Sequence, residues 1–284
     1  MPFLKVNFNP VAEFTEFVHH PYVSLPLGLD INKAVVYMWM AAALAMILTL
    51  VVVRRGLELR PDGRQTAVEV IYDVCEQQIA KAGLPEDGMR IWFPYVATLF
   101  VFIWMMNLIG FVPLPFGERH FDLFGLSIPE FQIYAATANL SVTLSLTLVT
   151  FFATHIEGIR YNGTVPYFRS WMPSGLPAVR PFTLLSPAKA LLLGLIAFIE
   201  ALSQLVRIVS LSFRLFFNLL AGHLVIAVFL SLGALLETYL VLPIGIPMGV
   251  ALYLLECTLI AGLQAFIFAT LSAIYIGGAI HPDH

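Results

Sequence analysis

Five residues that can carry charge, hydrogen-bond or move a proton interrupt one long apolar stretch of this chain. They are Glu200, Arg207, Arg214, Asn218 and His223. A charged side chain near the centre of a bilayer costs about 2.5–3.5 kcal/mol on insertion scales. Arginine does not escape that cost by losing its proton, because its pKa lies above about 12. Arg214 has apolar residues on both sides, so it requires a counter-charge, a water-filled cavity, or both.

The spacing of these residues indicates a shared helical face. The residues that recur every seven positions are Glu200, Arg207 and Arg214. At about 100° per residue, this period places them on one side of a helix. Ser210 and Asn218 lie one turn on either side of Arg214, close to the same stripe. His223 points to roughly the opposite face.

Arg207 and Arg214 can each be interpreted in structural or in functional terms. An arginine at a helix end extends its head to the lipid headgroups while its stem stays in the apolar layer. This snorkelling fits Arg207 better than Arg214, because apolar sequence continues beyond Arg214 to Gly233. An ionisable residue inside a membrane is by default a candidate for a functional role. Arg214 is the first such candidate and His223 the second.

The composition places the chain among polytopic membrane proteins. Hydrophobic residues make up 59% of its 284 residues and charged residues only 12%, against about 25% charged in soluble domains. The formal charge of −3 and the lack of a basic block give no sign of nucleic-acid binding. Cys75 and Cys257 lie in different settings and suggest neither a disulfide framework nor a metal site. The N-terminus lacks the pattern of a signal peptide.

The apolar runs predict an all-α membrane domain with about five membrane-embedded segments. Residues 1–34 read as an extracytoplasmic N-terminal tail, and 35–284 as a single membrane domain. The segment 63–80 has helical periodicity and is predicted to be an amphipathic helix on the cytoplasmic side. The predicted spans are 35–53, 91–112, 133–154, 188–235 and 244–280.

The last two segments are too long for upright spans. The apolar run 191–235 alone has 45 residues, which at about 1.5 Å each extend to about 68 Å, far beyond the ~30 Å of hydrocarbon. Long apolar helices adapt by tilting or bending. We therefore expect two long, tilted, antiparallel helices packed on each other.

The distribution of Lys and Arg predicts the orientation. The loops 54–90 and 155–189 carry most of the basic residues, whereas the 113–132 loop carries only Arg119. By the positive-inside rule the two basic loops are cytoplasmic and the N-terminus is outside. Five crossings then place the C-terminus in the cytoplasm.

Two motifs resemble subunit a of the F-type ATP synthase, in its bacterial form. The family pattern Arg-Leu-Phe-x-Asn-x-x-Ala-Gly is met at 214–222, and Gln-Ala-Phe/Tyr-x-Phe at 264–268. Weaker similarities occur at 107–113, 137–144 and 63–73. The resemblance therefore covers most of the chain beyond residue 60, and its first motif is highly specific.

The resemblance implies a proton-channel stator subunit that is not an enzyme on its own. Such a subunit holds two offset aqueous half-channels against a rotating c-ring, in which each c subunit bears one carboxylate. Arg214 would attract the ionised ring carboxylate and block direct leakage between the half-channels. The implied partners are the c-ring, b-type peripheral stalk subunits and the bilayer of a bacterial plasma membrane. The implied ion is H⁺, and Na⁺ stays open because the c subunit largely makes that choice.

The resemblance also implies a proton path through other residues. A His at position 223 goes with a Glu in the last helix, for which Glu256 is the candidate. The expected gap to Gln264 is seven residues, but here it is eight, so either a helix bulge restores the face or Glu256 lies outside the channel. Gln264 either holds Arg214 or makes a plain helix–helix contact. The remaining path candidates are Glu200, at a cytoplasmic exit, and Ser210 and Asn218, which orient water.

Two other classes of protein compete with this interpretation. A secondary cation/proton transporter also places charges at the midplane, but such proteins often contain internal repeats, and none is visible here. A membrane enzyme requires a nucleophile–base set, a phosphate loop or paired haem ligands, and the sequence offers none, so we expect no cofactor or metal. Purification in mild detergent discriminates, because a channel subunit brings a c-ring and a stalk with it.

Overall fold

Helices make up almost all of the part of the chain that the structure describes. The computed structural model describes residues 23–25, 29–54, 62–114, 120–123, 126–129, 134–170, 187–235 and 242–281. Two short antiparallel hairpins occur among them, formed by β1 (Val23–Leu25) with β2 (Leu29–Ile31) and by β3 (His120–Leu123) with β4 (Leu126–Pro129). Both stretches were predicted to be tail or loop. Most of the predicted 1–34 tail lies outside the described residues.

The helices follow one another with short connections where the chain is described. We number them α1 (Lys33–Arg54), α2 (Gly63–Asp73), α3 (Glu86–Gly110), α4 (Leu140–Asn162), α5 (Thr164–Ser170), α6 (Pro187–Leu235), α7 (Leu242–Leu255) and α8 (Ala261–Ile280). Two π-helical segments interrupt this order, at Val74–Ala80 after α2 and at Glu256–Ile260 between α7 and α8.

Five helical stretches among the described residues are long and apolar enough to span a membrane. They are Lys33–Leu50, Glu86–Gly110, Leu140–Asn162, Gly194–Phe229 and Pro243–Ile280. The predicted all-α class and the number of spans are confirmed. The two long final segments are confirmed as well, since α6 has 49 residues and α7 continues through the π turn into α8. Their tilt stays a prediction.

The boundaries predicted for the third span are wrong. The prediction began it at residue 133, but α4 begins at Leu140 after a 3₁₀ turn over Ala136–Ala138. Asn139 explains the later start, because its Oδ1 accepts a hydrogen bond from the N–H of Ser141 at 2.9 Å and so caps the helix. The predicted loop that follows is also partly helical, since α4 continues to Asn162 and α5 comes after it.

The predicted amphipathic helix is present. It begins with α2, continues as a π helix through Val74–Ala80 and ends in a short α turn at Lys81–Gly83. Val70 is exposed, whereas Cys75 and Ile79 are buried. Burial raises the pKa of the Cys75 thiol to about 11, so the thiol stays protonated at neutral pH. The cytoplasmic-side placement of this helix stays a prediction.

The Cα positions divide the chain into two units. Unit 1 takes the described residues within Met1–Asp62, Val101–Thr143 and Leu215–Ala265, and unit 2 those within Gly63–Phe100, Leu144–Arg214 and Phe266–His284. The chain passes from one unit to the other within α3, α4, α6 and α8. The single membrane domain predicted for 35–284 stays a prediction.

Packing within each unit gives the order of the two long helices. In unit 1, Gly222 on α6 packs against Glu256 at the π turn. In unit 2, Arg207 on α6 packs against Tyr275 on α8. Later residues of α6 thus meet earlier residues of the final segment, which is the predicted antiparallel arrangement.

Candidate functional site

Arg214 lies on the exposed side of α6. Its neighbours Leu211 and Leu215 are buried, whereas Phe213 and Phe217 are exposed. No acidic side chain forms an ion pair with Arg214 among the described residues. A guanidinium inside a membrane is costly without a partner, so the prediction that Arg214 requires a counter-charge, a water-filled cavity, or both still stands.

The predicted polar stripe on α6 is present. Ser210 is exposed and Asn218 half-exposed, one turn before and after Arg214. Glu200 is half-buried, and its Oε1 accepts a hydrogen bond from Nε2 of Gln204 at 3.1 Å. The sequence did not single out Gln204, although its i,i+4 spacing from Glu200 is the usual one for such a pair.

His223 lies in unit 1 with its ring stacked on Phe111. The ring centroids are 5.0 Å apart and the planes differ by 24°. His223 Nδ1 lies 2.8 Å from the carbonyl oxygen of Leu219. Because a carbonyl only accepts, Nδ1 is the donor and Nε2 carries the lone pair. This Nε2 atom is buried and makes no hydrogen bond among the described residues.

Glu256 is a buried carboxyl group in unit 1. Its residue is 3% exposed, and neither carboxyl oxygen has a hydrogen-bond partner among the described residues. Gly222 makes room for it, because a Cβ at position 222 would overlap the Glu256 carboxyl group. An ionised carboxylate in such surroundings is costly, so the group needs water or a proton.

The π turn accounts for the unexpected spacing in the last segment. The N–H of Ala261 bonds to the carbonyl of Glu256, five residues earlier. Such a turn inserts one extra residue into an α-helix, which absorbs the eight-residue gap between Glu256 and Gln264. The bulge predicted as one alternative is confirmed. Gln264 is buried at 8% exposure, and its action on Arg214 stays a prediction.

A buried polar brace holds this region of unit 1 together. Asn107 is 0% exposed; its Nδ2 donates to the carbonyl of Ala261 at 3.0 Å, and its Oδ1 accepts from Thr137 at 2.9 Å. The Tyr253 hydroxyl donates to the carbonyl of Phe111 at 2.6 Å. This role of Asn107 was not predicted, although an amide side chain inside an apolar span is the signal that indicates it.

We expect Asn107→Leu to destabilise the fold. It leaves the Thr137 hydroxyl without its acceptor and the Ala261 carbonyl without its donor, a loss of about 1–3 kcal/mol. The measurement is thermal unfolding of the purified complex in detergent. Thr258→Val is the matched control, because the Thr258 hydroxyl is exposed and bonds only within its own helix. An unchanged melting temperature for Asn107→Leu would contradict the brace.

Arg207 is half-buried and packs against Tyr275 in unit 2, and its snorkelling role stays a prediction. Its Cζ lies 4.2 Å from the ring centroid of Tyr275, within cation–π range. The two residues border a cavity of about 20 Å³, enough for roughly one water molecule. The residues that line the cavity are Thr147, Thr150, Phe151, Thr154, His155, Gln204, Arg207, Ile208, Leu211 and Tyr275.

The part of the chain that the structure describes contains no cluster of three His, Cys, Asp or Glu residues suited to a metal ion. What it does contain is an exposed arginine on a spanning helix, together with a buried carboxyl group and a half-buried histidine on spanning segments. These features define the class as a polytopic membrane protein whose spanning segments carry ionisable groups, which are functional candidates by default.

Comparison with known proteins gives the family. A model of the family described as ATP synthase A chain matches residues 35–277. A protein named ATP synthase subunit a from Rubrobacter xylanophilus is 35% identical over 260 residues, which are 90% of this chain and 87% of the relative. Its counterpart from Bradyrhizobium diazoefficiens is 36% identical over an alignment of 291 residues, covering 100% of this chain and 98% of the relative. One from Maricaulis maris is 30% identical over 283 residues, covering 97% and 98%.

The chain belongs to the ATP synthase subunit a family. Its function is that of the proton-channel stator subunit in the membrane sector, a non-catalytic part of the H⁺-transporting ATPase. The family predicted from the two motifs is confirmed, and the alternative of a secondary transporter is wrong.

Proposed function

We propose that Arg214 faces a carboxylate of the c-ring and separates two half-channels. The exposed position of Arg214 on a spanning helix, without an acidic partner among the described residues, carries this proposal. A ring carboxylate that passes this fixed cation is favoured in its ionised form, so it releases its proton there. The same charge repels protons that would cross directly from one half-channel to the other.

The outer half-channel runs past His223 and Glu256. Glu256 is buried and His223 half-buried in unit 1, and both keep a buried atom without a hydrogen-bond partner among the described residues. A proton path needs groups that change protonation, and histidine and a buried carboxylic acid serve this purpose near neutral pH. The predicted topology supports the outer side, because α6 enters from the cytoplasm and His223 follows Arg214 along it.

The inner half-channel opens near Glu200 and Ser210. They precede Arg214 on α6, toward the predicted cytoplasmic end, and the Glu200 carboxyl group is partly exposed. Asn218 and Gln264 do not titrate; their part is to orient water and the Arg214 side chain.

The assembly places this subunit in a bacterial plasma membrane with its N-terminus outside and its C-terminus in the cytoplasm. The exposed α6 face meets the c-ring, and b-type stalk subunits hold the subunit still. H⁺ is the transported ion, and the c subunit sets any preference for Na⁺. Purification in mild detergent tests the partners: the subunit should come with the c-ring and the stalk, and isolation alone or as a homodimer would contradict this assembly.

We expect cysteine replacements to report the two half-channels. His223→Cys should react with a membrane-impermeant thiol reagent only from the outside, and Ser210→Cys only from the cytoplasm. Labelling of right-side-out and inverted vesicles measures this. Leu219→Cys is the control, because Leu219 is buried in the same helix and should react from neither side. Labelling of His223→Cys only from the cytoplasm would contradict the assignment.

A further inference from the structure

Phe111 lies at the point in unit 1 where the end of α3 meets the later part of α6 and the final segment. It is 1% exposed and belongs to a buried core cluster with Ile226 of α6 and Ala261 of α8. Its ring stacks on the imidazole of His223. The run 107–113 that contains it gave only a weak similarity and no predicted role for this residue. A buried aromatic side chain thus covers one face of a residue in the proposed outer half-channel.

The end of α3 fixes the backbone of Phe111. The helix ends at Gly110, and the N–H of Phe111 bonds back to the carbonyl of Leu108 at 3.1 Å, a three-residue step that tightens the last turn. Gly110 allows close approach to Ala135, because a Cβ at position 110 would overlap Ala135. Pro113 follows and lacks the N–H that a further helical turn needs. Phe111 is therefore held in the turn that closes α3.

Tyr253 of α7 holds Phe111 through two further contacts. Its hydroxyl donates to the carbonyl of Phe111 at 2.6 Å. Its ring meets the Phe111 ring edge to face, with centroids 5.6 Å apart and planes at 86°, which is an arrangement that aromatic rings favour. The backbone, hydroxyl and ring contacts together leave Phe111 little freedom, so its ring offers His223 a fixed surface.

The hydrogen bond that His223 makes to its own helix leaves the plane of its ring free to tilt. The contact of Nδ1 with the Leu219 carbonyl, at 2.8 Å, sets which nitrogen donates, but the ring turns about a broad torsion without sharp wells. The Phe111 ring lies 5.0 Å away and 24° from parallel, and stacking restricts this tilt. The direction of Nε2 is then defined. A proton relay requires such a direction, because a proton transfers only within hydrogen-bonding reach.

We propose that Phe111 is a positioning residue for proton transfer, which holds the His223 imidazole in the orientation that presents Nε2 to the outer half-channel. The role rests on the proposed place of His223 in that half-channel. Phe111 exchanges no proton itself and acts only through His223. Its effect on pumping therefore disappears when position 223 carries no imidazole, whereas a residue that only fills the core affects pumping equally in either case.

A double-mutant cycle on the assembled complex tests this role. Phe111→Leu removes the ring and keeps an apolar side chain, and we expect it to lower the rate of ATP-driven pumping about three- to tenfold, which the strength of an aromatic pair allows. In a His223→Gln background the same substitution should cause no further loss. The measurement is pumping by purified complexes reconstituted at high density in liposomes, so that the low rate of His223→Gln stays measurable. Blotting confirms assembly.

Phe100→Leu is the matched control for this cycle. Phe100 is a buried phenylalanine of the same helix, but it lies in unit 2. Its substitution should change pumping by the same factor in both backgrounds. Equal factors for Phe111→Leu would overturn its positioning role and leave the half-channel proposal intact. Wild-type pumping by His223→Gln alone would instead contradict the half-channel proposal and remove the basis of the positioning role with it.

Tyr253→Phe decides where Phe111→Leu does not assemble. It removes the hydroxyl that holds the Phe111 carbonyl and keeps both rings. We expect a loss of pumping that disappears in the His223→Gln background. A loss of equal size in both backgrounds, or no loss in either, would overturn the positioning role.

Discussion

Replacing Arg214 with Ala should abolish ATP-driven proton pumping and ATP synthesis. The substitution removes the cation that lies on the exposed face of α6 without an acidic partner among the described residues. A carboxylate carried on a ring helix is neutral where it faces lipid, because exposing it there in ionised form is costly. It ionises only beside a fixed cation. Without Arg214 the ring carboxylate keeps its proton through a whole rotation of the ring. Ring rotation then no longer couples to proton flow.

Arg214→Lys should fail as well. Lysine is a compact ammonium that loses its proton when it is buried, and it lacks the planar fork that binds a carboxylate with two hydrogen bonds. The position that the ring carboxylate passes requires a charge that does not itself titrate. A lysine variant with full pumping would show that charge alone is sufficient and that the guanidinium geometry has no role.

The measurement is proton pumping by inverted membrane vesicles, with assembly of the complex confirmed by blotting. Phe217→Ala is the matched control, since Phe217 is exposed on the same helix but carries no charge. Arg207→Ala should be milder than Arg214→Ala, because it removes a charge that lies against Tyr275 in unit 2. Normal pumping by assembled Arg214→Ala complexes would contradict the proposed mechanism.

The sequence was most informative where a charged residue lies within an apolar stretch. Arg214 stands out because apolar residues surround it on both sides, and the structure has it exposed on a spanning helix. The lengths of the last two segments followed from counting apolar residues, and α6 matches the predicted 188–235 within a residue. Composition and length decide these features locally, without knowledge of the tertiary contacts.

Tertiary contacts explain what the sequence could not provide. Nothing in the local pattern around Arg207 indicates Tyr275, which lies far along the chain and meets it only through helix packing. The brace from Asn107 to Ala261 joins residues separated by 154 positions. The late start of α4 depended on whether Asn139 would cap a helix or continue one, and apolar content alone favoured the wrong choice.

The π turn that begins at Glu256 could be predicted in part from the sequence. The sequence showed that one residue was in excess between Glu256 and Gln264, and either a bulge or a different role for Glu256 accounted for it. The structure contains the bulge, because the hydrogen bond from Ala261 to Glu256 spans five residues, and the place of Glu256 in the channel stays a prediction. A π turn of this kind inserts one residue into an α-helix, which matches the one residue in excess of the family pattern.

Replacing Glu256 with Gln should reduce ATP-driven pumping by about 100-fold or more, the size of contribution that a positioned acid–base group makes. Gln has nearly the same shape, so it fits the pocket beside Gly222, but it does not exchange protons. Pumping by inverted vesicles is the measurement, with blotting for assembly. Glu256→Asp keeps the acid and should retain more activity than Glu256→Gln. Equal pumping by wild-type and Glu256→Gln complexes would remove Glu256 from the proton path.

Gly222→Ala tests the same group without changing it. A Cβ at position 222 would overlap the Glu256 carboxyl group, so the carboxyl group must move, and we expect pumping to fall sharply. Gly262→Ala is the matched control, because a Cβ there lies 3.6 Å from Nε1 of Trp104, an ordinary contact. If Gly222 acts through Glu256, the double variant Gly222→Ala with Glu256→Gln should pump no worse than Glu256→Gln alone, since residues in contact do not contribute additively. Additive losses would show instead that Gly222 serves α6 packing, independent of the carboxyl group.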